Sequence, residues 1–333
     1  MDIRRKSHKK SHYYYNTKTK KRIPKGSKLN KYYDSLCIPP AYKDVEISSD
    51  RRSKVQATGI DSKGRKQYVY SKEFKEEQTE LKFGDLIHLG RNIKRIRREM
   101  CETLDKCCSN PKSVLSLDCQ IAVILFLVDK CNFRVGSEKY KDLYKSYGVT
   151  TLNVKHLTIK DNIITIKFIG KKGVENINTV TNKCVVKLLK LLKEKNKNKE
   201  YLFTYKNEYN EDHRVTERQV NLFLKEYHQS ITVKMFRTWT SNYILLRELI
   251  KYKRPENEKE AKKIVNAAIK KAAELMHHTK AVSKSSYMNN EIIDLYLEHN
   301  KKFYKILDEF KKSNGSYPTM DRLLNLFLTH IYK

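Results

Sequence analysis

Apolar residues recur along this chain with two different periods, and the changeover divides it. Between Ala57 and Tyr70 the period is two. Ala57-Thr58-Gly59-Ile60 and Gln67-Tyr68-Val69-Tyr70 flank Asp61-Ser62-Lys63-Gly64, which predicts two strands joined by a turn. Alternation puts Tyr68 and Tyr70 on one face of the second strand and Gln67 and Val69 on the other. Those tyrosines either pack in a small core or line a surface beside the basic turn. After Phe74 the period becomes helical, with Leu86, Leu89, Ile93 and Ile96 opposite Arg91, Lys94, Arg95, Arg97 and Arg98. The segment from Val114 to Asn132 is apolar almost all round, which predicts a buried helix whose exit leads straight into Phe133-Arg134-Val135-Gly136.

Three runs follow, Leu152 to Ile159, Ile163 to Gly170 and Val174 to Val180. They predict a three-stranded antiparallel meander with Lys171 at its second turn. An amphipathic helix spans Asn182 to Leu192 and the polar run Lys193 to Glu200 reads as a loop. Further helices are expected over Thr216 to Tyr227, around Lys234 to Tyr243 with the only Trp, Glu258 to His277, Glu291 to Phe310, and Asp321 to about Tyr332. The fold class is therefore α+β: a small N-terminal β-rich domain, then a larger, mainly α-helical domain containing a three-stranded antiparallel sheet. The expected divisions are a basic, disordered arm over residues 1–31, the β-rich domain over 32–78 and the helical domain over 79–333, with a link near residues 75–80.

Charge narrows the partner. The 333 residues carry 70 Lys and Arg against 38 Asp and Glu, a formal charge of +32, which favours a polyanion such as DNA or RNA. The longest apolar run, Ile121 to Val128, falls far short of the roughly 20 residues that span a bilayer, and no apolar leader core occurs near the N-terminus, so no membrane role is expected. Seven cysteines without a CxxC pair imply reduced thiols in an intracellular compartment, and neither zinc spacing nor a phosphate-loop motif calls for a metal or ATP.

Candidate chemistry lies in the order Arg134, Lys171, Arg237, His278 and Tyr287. Tyrosine can attack a phosphodiester if cations favour its phenolate, arginines can fork onto the non-bridging oxygens, and lysine can yield a proton. The motifs carrying these residues are Phe133-Arg134-Val135-Gly136, Lys171-Lys172-Gly173, Lys234-Met235-Phe236-Arg237-Thr238, His278-Thr279 and Ser283-Lys284-Ser285-Ser286-Tyr287-Met288. With Leu36-Cys37-Ile38-Pro39-Pro40-Ala41-Tyr42-Lys43-Asp44-Val45 and Asp61-Ser62-Lys63-Gly64-Arg65-Lys66-Gln67-Tyr68, this order resembles the type IB DNA topoisomerases of the small poxvirus and bacterial kind.

The resemblance implies that Tyr287 forms a 3′-phosphotyrosyl bond, and that Arg134, Arg237 and His278 hold the non-bridging oxygens. It implies that Lys171, assisted by Arg134, protonates the leaving 5′ oxygen. Supercoils of both signs would relax by strand rotation and religation without ATP or metal. It also implies DNA contacts at Lys63, Arg65, Gln67, Tyr68, Tyr70, Tyr140 and Lys234, in a monomer that clamps double-stranded DNA. The setting would be host cytoplasm or virion for a viral protein, cytoplasm or nucleoid for a bacterial one. His277 stands where the family usually has Gly, and the His-Thr match with its nine-residue spacing to Tyr287 selects His278. Ser137 and Met235 depart from the poxvirus pattern, so that group's short pyrimidine-rich target is not carried over. A tyrosine recombinase would share the five groups but usually shows His-x-x-Arg where this chain has Lys234-Met235-Phe236-Arg237. A non-enzymatic DNA-packaging protein would explain the charge and leave Tyr287 unexplained.

Overall fold

Alternating inward and outward side chains build the first compact unit, Met1–Lys82, of the computed structural model, which describes residues 1–8, 11–313 and 319–332. Its elements are β1 (Ile3–His8), β2 (Ser11–Asn16), α1 (Lys28–Ser35), β3 (Lys43–Ile47), β4 (Val55–Ile60) and β5 (Lys66–Tyr70). The strands form one antiparallel sheet in the order β2-β1-β3-β4-β5. Ile3, Tyr14, Val45, Ile47 and Ala57 share a core with Tyr33 of α1 and Ile38.

The disordered arm expected over residues 1–31 is corrected here, because the chain is already paired at Ile3. Arg5 occupies a core position on β1, where its guanidinium donates to the backbone oxygens of Ile38, Pro39 and Tyr42, each at 2.9 Å. A charge that reads in sequence as solvated is thus satisfied by backbone acceptors. The Tyr14 hydroxyl likewise donates to Asp34 Oδ1 at 2.9 Å. Lys9 and Lys10, counted with that arm, lie outside the described residues.

Helix α2 (Lys72–Ser109) runs for 38 residues, and the two units divide within it at Lys82 and Phe83. The link expected at residues 75–80 is therefore helix, since Lys72 to Leu81 contains neither Gly nor Pro and is rich in Glu, Lys, Gln and Leu.

The second unit continues with α3 (Leu117–Cys131), α4 (Glu138–Tyr144), β6 (Leu157–Lys160), β7 (Ile163–Ile169), β8 (Glu175–Val180), α5 (Lys183–Lys195), β9 (Thr204–Lys206) and β10 (Asp212–Arg214). It ends in α6 (Glu217–Lys225), α7 (Val233–Lys251), α8 (Glu258–Leu275), α9 (Lys280–Ser286), α10 (Asn290–Leu297), α11 (Asn300–Ser313) and α12 (Met320–Tyr332). The meander is present in the order β6-β7-β8, so the α+β reading holds, although residues 149–156 form tight turns where its first strand was expected to begin. The β9–β10 pair has no counterpart in the sequence reading. Where one helix was expected from Glu291 to Phe310 there are two. Glu298 closes α10, and Asn300 Nδ2 caps the carbonyl of Tyr296 at 3.1 Å.

An ionic knot ties four helices of this unit together. Arg97 of α2 reaches Asp129 of α3 and Asp321 of α12, each at 2.8 Å, and Trp239 Nε1 of α7 donates to the other oxygen of Asp321 at 2.7 Å. Burial alone would raise the Asp129 carboxyl, but Arg97 outweighs it and holds it below the usual range. Helix α7 is thereby fixed before any ligand arrives. Among the described residues no helix is long and apolar enough to cross a membrane, and no cluster of ligating side chains could hold a metal ion.

Candidate active site

Three backbone devices deliver four of the five candidate side chains to one place. The first ends α3. Asn132 adopts a left-handed conformation (φ 56°), and the following segment is pinned by Val149 N–H on the Arg134 carbonyl at 2.8 Å and Thr150 N–H on that of Val135 at 2.7 Å. Gly148 permits this: a Cβ there would lie 2.5 Å from Gly136 and 2.7 Å from the Arg134 oxygen. The second is α7, where Arg237 is 4% exposed and its Nη2 donates to the Met276 carbonyl at 3.0 Å.

The third device ends α8. His277 N–H bonds to the Glu274 carbonyl and His278 N–H to that of Ala273, with His277 left-handed at φ 52°. That is a glycine-type position, which accounts for the glycine expected before the histidine, and a non-glycine residue there costs about 1 kcal/mol. It turns His278 inward. Thr279 then caps α9, accepting from Val282 N–H at 3.2 Å, and Tyr287 closes that helix.

Arg134 Nη2 lies 3.0 Å from His278 Nε2 and donates to the Tyr287 hydroxyl at 3.3 Å; Arg237 Nη2 lies 2.6 Å from the same histidine nitrogen. The rings of His278 and Tyr287 stack with centroids 4.4 Å apart, and the Arg237 guanidinium carbon sits 5.6 Å from the tyrosine ring centre. Neither arginine forms an ion pair among the described residues, and the buried Arg237 Nε and His278 Nδ1 have no hydrogen-bond partner among them.

The electrostatics follow from that crowding. Burial would push the Tyr287 phenol up, but the positive charges of Arg134 and Arg237 prevail and hold it below its ordinary value. Burial, then repulsion from Arg134, brings the Arg237 guanidinium down to about 10. Burial and the charges of Arg237 and Arg134 depress His278 to about 3, so it is neutral near pH 7 and its Nε2 accepts from the arginines. Two cations without a counter-ion around an acidified phenol form a receptor for an anion.

Lys171 is not brought to this cluster. It is exposed on the turn between β7 and β8, beside left-handed Lys172 (φ 64°), with its ammonium 5.9 Å from the Tyr140 ring centre. Of the expected DNA contacts, Tyr68 and Tyr70 stack at 6.2 Å and are 50% and 37% exposed, which rules out the small-core alternative. Asp61 organises the turn beside them. It accepts from Arg65 Nε at 2.8 Å and Gln67 Nε2 at 2.9 Å, and its hydrogen bonds with Arg65 lower it to about 2. Lys63, Tyr140 and Lys234 are exposed.

One residue at the cluster escaped sequence reasoning. Asn242 donates to the Tyr287 carbonyl at 2.8 Å and accepts from Asn289 N–H at 2.7 Å, joining the arginine helix to the tyrosine segment. The signal that marks it is an amide at helical spacing from Trp239 and Leu246, on the apolar face those two residues define.

Known proteins resemble this chain over most of its length. Residues 71–314 match the family model described as eukaryotic DNA topoisomerase I, catalytic core, and residues 12–61 match bacterial DNA topoisomerase IB, N-terminal domain. The chain is 33% identical over 308 residues to the DNA topoisomerase 1B of Acanthamoeba polyphaga mimivirus, covering 90% of this chain and 88% of that one. It is 28% identical over 276 residues to the DNA topoisomerase 1B of vaccinia virus (strain Western Reserve), covering 82% and 79%. With DNA topoisomerase 1 of Drosophila melanogaster it shares 28% over 259 residues, 74% of this chain but 25% of that longer one. The chain belongs to the type IB DNA topoisomerases, of the small viral and bacterial kind.

Proposed function

We propose that Tyr287 is the nucleophile with which this chain cuts one strand of duplex DNA, allows rotation about the other, and reseals, relaxing supercoils of either sign. The phenolate oxygen attacks the phosphorus, a tyrosyl–phosphate bond forms on the 3′ side, and the bond to the 5′ oxygen breaks. That oxygen takes a proton from Lys171, with Arg134 assisting. Religation is the reverse, and because one phosphoester replaces another, no ATP is consumed.

The observation that carries this reading is the uncompensated pair Arg134 and Arg237 around a phenol held below its ordinary pKa. A scissile phosphate supplies the missing anion. As its oxygens draw the guanidiniums away, His278 Nε2 is free to donate in place of accepting, which a neutral imidazole does by changing tautomer. Lys63, Arg65, Gln67, Tyr68 and Tyr70 contact the duplex from the first unit, and Tyr140 and Lys234 from the second. The protein acts as a monomeric clamp in a reducing intracellular compartment.

The test is relaxation of positively and negatively supercoiled plasmid in EDTA without ATP, with denaturant trapping of the covalent adduct. The adduct should sit on the 3′ phosphate, and Tyr287→Phe should bind duplex DNA yet form none. An adduct on a 5′ phosphate, or relaxation by Tyr287→Phe, overturns the assignment.

A further inference from the structure

Sheet register puts five residues in one row on the face of the first unit's sheet away from its core, four of them at least partly exposed and Thr58 buried beneath Met1. Tyr15 pairs with Arg4, Arg4 with Glu46, Glu46 with Thr58, and Thr58 with Tyr68. Directly opposed residues share a face of a sheet. Tyr68 and Tyr70 therefore look out from the same side as Tyr13, Tyr15, Arg4 and Lys6, while Arg5 and Tyr14 point to the core. Four inter-strand steps separate β5 from β2, roughly 19 Å in all.

At the β2 end lies a concavity of about 800 Å³ lined by Arg4, Lys6, Tyr13, Tyr15, Lys20 and Arg22, with the core-side Arg5 and Val45 also in its wall. Arg22 extends the sheet through a bridge to Tyr15 and lays its guanidinium over the Tyr13 ring at 4.5 Å. Two carboxylates lie nearby: Glu46, which pairs with Arg4 at 2.6 Å, and Asp44 in the lining. Lys6, Lys20 and Arg22 form no ion pair among the described residues, so the concavity keeps an excess of positive charge.

We infer that this concavity is a second DNA-binding site, and that it takes the phosphodiester backbone flanking the groove that Tyr68 and Tyr70 enter. The inference rests on the reading of the Tyr68 and Tyr70 face as a DNA surface. A B-form major groove is about 12 Å wide, so with β5 in the groove a strand roughly 19 Å away lies at or beyond the bounding backbone and not over the same base edges. Arg22 covers the Tyr13 ring, which removes a platform for base stacking and leaves the cations as the recognising groups. The site adds affinity without sequence preference.

The experiment is duplex binding by the full chain across a salt series, comparing the natural protein with the combined variant Lys6→Ala, Lys20→Ala, Arg22→Ala. Each phosphate contact contributes about 0.9 to the slope of log affinity against log salt, so the slope should fall by about 2 to 3, equally on unrelated sequences. The charge-keeping variant Lys6→Arg, Lys20→Arg, Arg22→Lys should retain it. An unchanged slope in the alanine variant overturns the inference. So does a loss confined to one DNA sequence, or one shared by the charge-keeping variant. If the natural chain itself binds duplex without salt dependence, it is the underlying reading of the sheet face that falls.

Discussion

Under the proposed roles, the part of the site that would hold the phosphate and the part that would handle the leaving oxygen are built in opposite ways. Arg134, Arg237, His278 and Tyr287 sit on segments locked by buried backbone bonds, a left-handed cap and the Arg97 knot, and they touch one another in the free chain. Lys171 stands on a solvated turn, facing Tyr140 and no member of the cluster. Holding a phosphate geometry demands preorganisation, because donors that must reorganise at the moment of reaction lose most of their worth. A proton donor need only arrive. If Lys171 is the acid, it lies outside the cluster of Tyr287 and the arginines in the free chain, and we propose that DNA contact at Tyr140 and the β7–β8 turn completes the site.

Replacing Lys171 by Ala should separate the two parts most sharply. Loss of general acid catalysis slows cleavage by about 10² to 10⁴-fold on ordinary DNA. A 5′-bridging sulfur leaves without a proton, so most of that loss should vanish on such a substrate. Equal losses on both substrates would make Lys171 part of the phosphate-holding group and erase the contrast.

Arg237 should give the opposite result. Arg237→Ala should slow cleavage by about 10² to 10³-fold, the effect of removing one preorganised oxyanion donor, with no recovery on the sulfur substrate. Single-turnover cleavage of the paired substrates measures this directly, and sulfur rescue would mean that Arg237 serves the leaving group.

Legibility in the sequence follows the same division of labour between local and distant contacts. The four residues that cluster could be picked out because each lies in a short motif and the motifs follow one another in the order of the family resemblance, and their α+β setting followed from period-two and helical patterns. The N-terminal hairpin could not. In Ile3-Arg4-Arg5-Lys6 the inward position after Ile3 is held by Arg5, whose partners are carbonyls more than thirty residues away, so alternation is hidden behind uniform charge. The position of the Lys171 turn was readable from the meander, but its distance from the cluster was not, since nothing local encodes whether a turn reaches a neighbour. Asn242 was hidden for a related reason: its partners at Tyr287 and Asn289 are 45 and 47 residues away.

Asn242 also gives the mildest test of the comparison. Asn242→Ala removes the donor to the Tyr287 carbonyl and the acceptor for Asn289 N–H, and each buried backbone group left unpaired costs about 1 to 3 kcal/mol. Part of that appears as lower thermal stability, because α10 is capped by Asn289. The rest loosens the phenol against its arginines, and a misalignment worth about 1.4 kcal/mol is a tenfold slower cleavage. Since the two arginine charges hold the Tyr287 phenol low, a loosened phenol returns toward its ordinary pKa. The rise of the cleavage rate with pH should therefore move to higher pH in Asn242→Ala. A variant with reduced stability but the natural rate and pH profile would limit Asn242 to holding the fold. The phosphate-holding group would then owe its rigidity to the Arg97 knot and the helix caps alone.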